Sequence, residues 1–199
     1  YDKVESNPKD YNAMDGAKLF MENDCDSFIS VGGGSSHDAC KGARVSVAHD
    51  GRNVNEFEGF NMSENPKNPP HIAVSTTAGT GSDVSQFCIV TDTTRHVKVT
   101  IMGRALVPDI SITDPRLLTT MPDDLAAATG LDALTHGIEA FVSRASGPLT
   151  DVHALHAIEL ICTSLRGTLD RPEDPAARTA MAQASLEAGL AFTNAILGA

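Results

Sequence analysis

The sequence predicts an α/β chain: a layered parallel-sheet domain over residues 1–120, followed by an all-helical domain over residues 121–199. Three observations carry this. Helix and strand patterns alternate through the first two-thirds. Two strands run into junctions rich in glycine and hydroxyl residues, and from Met121 onward the apolar period is helical throughout.

Taken in order, Tyr11 to Asn23 reads as a helix with Ala13, Ala17, Leu19 and Phe20 on its inner side, followed by the strand Ser27 to Val31. After the glycine run, Ser36 to Val47 resumes as an alanine-rich helix. A polar crossing rich in Asn and Pro leads to a second buried strand, His71 to Ser75. Phe87 to Thr91 and Val97 to Met102 read as an antiparallel pair around the polar turn Asp92 to His96, and Pro108 to Thr113 is another short strand. Three helices follow, Pro122 to Ser143, Thr150 to Leu165 and Pro175 to Leu197, with Gly198 the only cap in sight at the end.

Composition bounds the function. A chain of 199 residues that is 41% hydrophobic can bury an ample core. A formal charge of -11 with no Lys/Arg-rich run argues against nucleic acid and anionic membranes as partners. The four cysteines, Cys25, Cys40, Cys88 and Cys162, show no CxxC spacing, so a reducing, cytoplasmic setting is the simplest expectation. No stretch approaches transmembrane length, and the polar start lacks both a signal pattern and a Met; both ends read as cut.

Chemistry concentrates in three places. Asp132 and His136 lie four residues apart in a helical pattern, so an oxygen and a nitrogen ligand stand on one face, half of a site for a divalent transition metal. Ala127, Leu131, Leu134, Ile138 and Phe141 are expected to form an apolar surface around the pair. The strand–glycine–helix junction Gly32 to Asp38 suits a phosphate, because glycines admit close approach and a helix N-terminus offers N–H donors. In the same run, Ser35 or Ser36 could equally serve as a plain N-cap. The loop Ser75 to Asp83 is a second junction of this kind at a strand's end, where open α/β sheets bind ligands. Together the two loops suggest a dinucleotide.

These motifs, in this order, resemble the iron-containing (group III) alcohol dehydrogenases, especially their bacterial methanol and propanediol dehydrogenase branches. The resemblance rests on Asn7-Pro8, Gly32 to Asp38, Thr76 to Ser82, Phe87 to Asp92 leading to His96-Val97-Lys98, Asp114-Pro115, and Ala128 to His136. It implies a Rossmann-like dinucleotide-binding domain followed by a helical metal domain of the dehydroquinate synthase-like type, both incomplete, with this chain the central part of such an enzyme. The resemblance places the cofactor pyrophosphate at Gly33, Gly34 and Ser35, with Asp38 and Lys41 nearby; further cofactor contacts fall at Thr76, Thr77, Thr80 and Lys98. Asp132 and His136 would be two metal ligands and the catalytic pair, the family's other two lying beyond Ala199. Asp83 stands where many relatives carry Glu.

The activity so implied is metal- and NAD(P)-dependent oxidation of a small primary alcohol to an aldehyde by hydride transfer, with Fe2+ as the usual metal and Zn2+ an alternative, in a homo-oligomer. Two rivals stand beside it: a glycerol dehydrogenase-like zinc enzyme, and a noncatalytic nucleotide-binding module. His153 and His156, three apart on the next helix, are expected to be surface or capping residues rather than the missing ligands.

Overall fold

In a computed structural model describing residues 1–65 and 68–197, helix and strand follow one another as α1 (Asp10–Glu22), β1 (Phe28–Gly32), α2 (Gly34–Ala48), β2 (Gly59–Phe60), β3 (His71–Ser75), β4 (Phe87–Asp92), β5 (Val97–Met102), β6 (Ile110–Thr113), α3 (Asp123–Val142), α4 (Pro148–Asp170) and α5 (Pro175–Ala195). Gly198, the expected cap, lies outside the described residues. The chain forms two compact units, one of Tyr1–Val74 with Gln86–Ser111, the other of Ser75–Ser85 with Ile112–Ala199.

A parallel sheet has the order β1-β3-β6 and a second sheet the order β2-β5-β4. β4 and β5 are the expected antiparallel pair, in register from Phe87 opposite Met102 to Asp92 opposite Val97, while β2 adds parallel to β5. Asp92 closes their turn: its Oδ1 accepts the N–H groups of Thr94 and Arg95, and its Oδ2 accepts from the Arg95 guanidinium at 2.6 Å. The Arg95 bonds hold the Asp92 carboxyl below its ordinary value. Val45, Val54, Phe57, Val90, Val99, Ile101 and Leu106 fill the interior. The Arg44 side chain, almost wholly buried, donates to the carbonyls of Ala105 and Val107 and pairs with Asp109 at 2.8 Å, tying α2 to the segment before β6.

β1 departs from the expected buried strand. Ile29 is 65% and Val31 62% exposed, while Ser30 points inward. The cause is polar: Ser30 Oγ lies 2.7 Å from His37 Nδ1 and 2.8 Å from His71 Nε2, bridging α2 and β3 through two fully buried imidazoles. A hydroxyl able to donate and accept is needed there, so the apolar residues of this edge strand face out. Leu19 is likewise exposed rather than on the inner side of α1, which buries Ala13 and Ala17.

The second unit is helical, with α3, α4 and α5 packed on one another and the segment Ser75–Ser85 laid against them. Its interior is dominated by small residues: Ala78, Ala133, Ala157, Ala182, Ala184 and Ala188, with Leu118, Ile161 and Met181 between them. On α3 the small residues turn inward, and much of the apolar surface read around the Asp132/His136 pair is exposed in this chain. The helix buries Ala126, Gly130, Ala133, Gly137 and Ala140, whereas Leu131 is 54%, Ile138 46% and Phe141 41% exposed. Of the expected set, only Leu134 packs on the core, at its margin. Small residues let helix axes approach closely, and such a face carries little weight in a hydrophobicity pattern.

Candidate functional site

The glycine junction sits in the first unit. β1 ends at Gly32, whose φ of +147° and lack of a side chain are both required, since a Cβ there would fall 2.3 Å from Ser36 Oγ. Gly33 is the N-cap of α2 and supplies no side-chain cap; its carbonyl accepts from the N–H groups of Ser36 and His37. The plain N-cap reading of Ser35 and Ser36 is thereby corrected: both lie inside the first helical turn. A helix start without a capping side chain offers its first N–H groups to an anion. Asp38 follows in the next turn. Lys41, by contrast, is fully buried and donates through Nζ to the Phe87 carbonyl at 2.7 Å, so its ammonium is turned into the protein interior. Lys98 lies on the exposed side of β5, opposite Thr91. A cleft of about 770 Å³ lined by Phe20, Phe28, Ile29 and Cys40 follows the β1 edge; it is the open side of an edge strand. Burial pushes the Cys40 thiol up to about 12, which makes it unreactive.

The hydroxyl loop belongs to the second unit. Ser75 Oγ donates to the Thr77 carbonyl, and Thr80 Oγ1 accepts from Ser82 N–H, so the loop orders itself. Thr77 Oγ1 is buried and has no hydrogen-bond partner among the described residues. Two glycines allow the loop to lie on helical backbone. A Cβ on Gly79 would stand 2.7 Å from the Thr129 carbonyl oxygen of α3, and one on Gly81 would stand 2.7 Å from Gly189 Cα of α5.

On α3, Asp132 and His136 meet as their spacing predicts. Oδ1 and Nε2 are 3.7 Å apart, with the His136 side chain 16% and the Asp132 side chain 45% exposed. That separation is too long for a hydrogen bond. Two ligands each roughly 2.0–2.2 Å from one ion stand roughly 3–3.5 Å apart, so the pair fits a shared metal after a small adjustment. His136 Nδ1 is buried without a hydrogen-bond partner among the described residues, and the imidazole packs against Phe192 of α5 at 4.6 Å between ring centroids. No group of three or more His, Cys, Asp or Glu able to hold a metal occurs among the described residues. Asp132 and His136 thus offer two donors and no third among the described residues.

His153 and His156 are engaged elsewhere. His156 Nδ1 lies 2.8 Å and His153 Nδ1 3.5 Å from Glu187 Oε2, which joins α4 to α5. Burial alone would raise the Glu187 carboxyl, but the hydrogen bonds from Gln183 and His156 outweigh it and hold the group low. The contact of Phe192 with His136 was not legible in the sequence, nor that of Glu187 with His156, because each pair meets only across a helix–helix contact.

Comparison with known proteins identifies the family. A family model described as iron-containing alcohol dehydrogenase matches residues 1–115, and one described as the C-terminal part of the Fe-containing alcohol dehydrogenase family matches residues 126–199. The chain is 54% identical over its full length to methanol:N,N-dimethyl-4-nitrosoaniline oxidoreductase of Amycolatopsis methanolica, covering 47% of that protein. It is 45% identical to 1,3-propanediol dehydrogenase of Citrobacter freundii, covering 51%. A crystal structure of 1,3-propanediol oxidoreductase superposes on the whole chain with a TM-score of 0.96, at 45% identity and 51% of that chain. The chain thus spans about half the length of the curated relatives it matches. No helix among the described residues is long and apolar enough to cross a membrane.

Proposed function

We propose that this chain, which belongs to the iron-containing alcohol dehydrogenase family, carries the cofactor loops and half of the metal site of a dehydrogenase that oxidises small primary alcohols to aldehydes. NAD or NADP would accept the hydride. By sequence the dinucleotide-binding part would span residues 1–120 and the metal part residues 121–199, with the loop Ser75–Ser85 of the former packed in the helical unit. The observation that carries the proposal is the convergence of Asp132 Oδ1 and His136 Nε2 on one side of α3.

Each residue then has a stated task. Asp132 and His136 would hold the metal, Fe2+ first and Zn2+ as an alternative. When bound, the metal supplies Lewis-acid polarisation of the substrate oxygen. Gly33, Gly34 and Ser35 would donate backbone N–H groups to the pyrophosphate, with Asp38 at the same turn. Thr76, Thr77 and Thr80 would add hydroxyls, the buried Thr77 Oγ1 among them, and Lys98 a cation. The whole enzyme is proposed to be a cytoplasmic homo-oligomer.

The test is metal content and alcohol-dependent NAD(P) reduction on one gel-filtered sample of the whole protein, with methanol, ethanol, butanol and 1,2-propanediol. Asp132→Ala and His136→Ala should each abolish turnover and leave dinucleotide binding within about twofold of that of the metal-free wild type. Binding of metal and dinucleotide without oxidation of any alcohol would overturn the assigned reaction. A glycerol dehydrogenase-like zinc enzyme would instead turn over glycerol, and a noncatalytic module would bind dinucleotide but retain no metal.

A second reading concerns the electron acceptor. Relatives at 50–54% identity are named for N,N-dimethyl-4-nitrosoaniline as oxidant. The same assay with this dye distinguishes the two: dye reduction by methanol without release of free NADH favours it, and NADH release without need of the dye rejects it.

A further inference from the structure

The His136 imidazole is oriented by packing rather than by a hydrogen bond. Its Nδ1 is buried without a hydrogen-bond partner among the described residues, and Asp132 Oδ1 is 3.7 Å from Nε2. Metal-binding histidines are ordinarily fixed by a hydrogen bond at the second nitrogen. Here the close neighbour is the Phe192 ring, 3% exposed, 4.6 Å from the imidazole centroid and tilted by 46°.

The same ring touches the hydroxyl loop. Gly81 has φ +59°, and a Cβ built on it would lie 3.0 Å from Phe192 Cε1 and 2.7 Å from Gly189 Cα. Gly189 faces the loop in turn, with its own hypothetical Cβ 3.1 Å from Gly81 Cα and 2.6 Å from Val84 Cγ2. Gly189 and Phe192 are one turn apart on α5, so loop backbone, aromatic ring and imidazole form an unbroken stack of rigid contacts. A shift of the loop at Gly81 toward α5 would meet Gly189 and Phe192, and Phe192 is the ring that packs on His136.

We propose that Phe192 is a positioning residue that couples occupancy of the Thr76–Thr80 loop by the dinucleotide to the orientation of His136, and hence to metal affinity. This rests on the functional reading above. The predicted property is thermodynamic: dinucleotide tightens metal binding and metal tightens dinucleotide binding by the same factor.

The experiment measures the Zn2+ dissociation constant of the whole metal-free protein by competition with a chelating dye, with and without saturating NAD+, or NADP+ where NAD+ does not bind. Wild type should bind Zn2+ about fivefold or more tightly with the dinucleotide present. Phe192→Leu should bind Zn2+ about tenfold more weakly, in the range of lost supporting contacts at metal sites, with the dinucleotide effect reduced below about twofold. Phe192→Tyr, which keeps the ring, should restore most of both. Independent binding of the two ligands in wild type would overturn the proposal, whether or not the variants fold. So would full coupling retained in Phe192→Leu, which would leave Phe192 an ordinary core residue. Failure of wild type to bind either ligand would instead defeat the functional reading itself.

Discussion

The α/β unit fills its interior with Val45, Val54, Phe57, Val90, Val99, Ile101 and Leu106, whereas the helical unit closes on Ala133, Ala157, Ala184 and Ala188 with glycines at the contacts. Each solution suits its layers. A sheet stands roughly 10 Å from what covers it and needs branched or aromatic side chains to fill the gap. Helices that lie against the backbone of a loop, as α3 does at Gly79 and α5 at Gly81, need the opposite, side chains short enough for the backbones to approach. The two units should therefore fail in opposite ways, one when side chains are shortened and the other when they are lengthened.

The largest expected effect is in the first unit. Phe57 is 2% exposed, with His49 tilted against it at 4.5 Å and the Arg52 guanidinium 5.1 Å above its ring. Phe57→Ala should cost about 4 kcal/mol in urea-unfolding stability. The matching break in the second unit is Gly81→Ala, where the added methyl meets Gly189 backbone and positive φ at once. A cost of about 3 kcal/mol is expected, with hydrogen-exchange protection lost in α5 and kept in β4 and β5. If Gly81→Ala instead cost no more than a surface change, the close-contact account of the helical unit would be wrong.

Polar burial sharpens the comparison further. His71 sits in the first unit with its pKa lowered to about 3, mainly by burial and then by the nearby Lys41 and Arg44 charges. The folded chain thus holds His71 neutral, while the unfolded chain protonates it near pH 6.5. Stability is full above that value, falls as pH drops through it, and stops falling near pH 3. Between pH 7 and pH 5 the loss from this residue is about 2 kcal/mol. His71→Gln, which retains a partner for Ser30, should flatten that part of the stability profile; an unchanged slope would show that His71 is not the titrating group.

Most elements were legible because their periods are strong: β3 and β5 fall where the alternation places them, and α3 and α5 begin within a residue of their expected starts. The Asp132/His136 pair was legible too, since i and i+4 on one helix need no tertiary information. What escaped was inward-facing Ser30, whose role depends on His37 and His71 arriving from other elements, and the Phe192 contact, which joins residues on different helices. The packed face of α3 was also not legible, because Ala133 and Gly137 carry little hydrophobic signal beside Leu131 and Ile138.

That last point gives the smallest predicted effect and the most direct check on the comparison. If α3 is held by its small residues, then polar substitution on its large apolar face should hardly matter to the stability of this chain. Leu131, 54% exposed, is the clearest case. Leu131→Gln should change the urea midpoint by less than about 0.5 kcal/mol equivalent, the range of ordinary surface substitutions. Gly137→Leu, on the packed face where even an added Cβ would stand 3.2 Å from Ile158 Cγ1 and 3.4 Å from the Ala154 carbonyl oxygen, should cost several times more. The ratio of the two, rather than either alone, reports which face of the helix bearing Asp132 and His136 is the packed one. A Leu131→Gln loss equal to that of Gly137→Leu would mean that both faces are covered in solution and that the small-residue face is not what holds the Asp132/His136 pair in place.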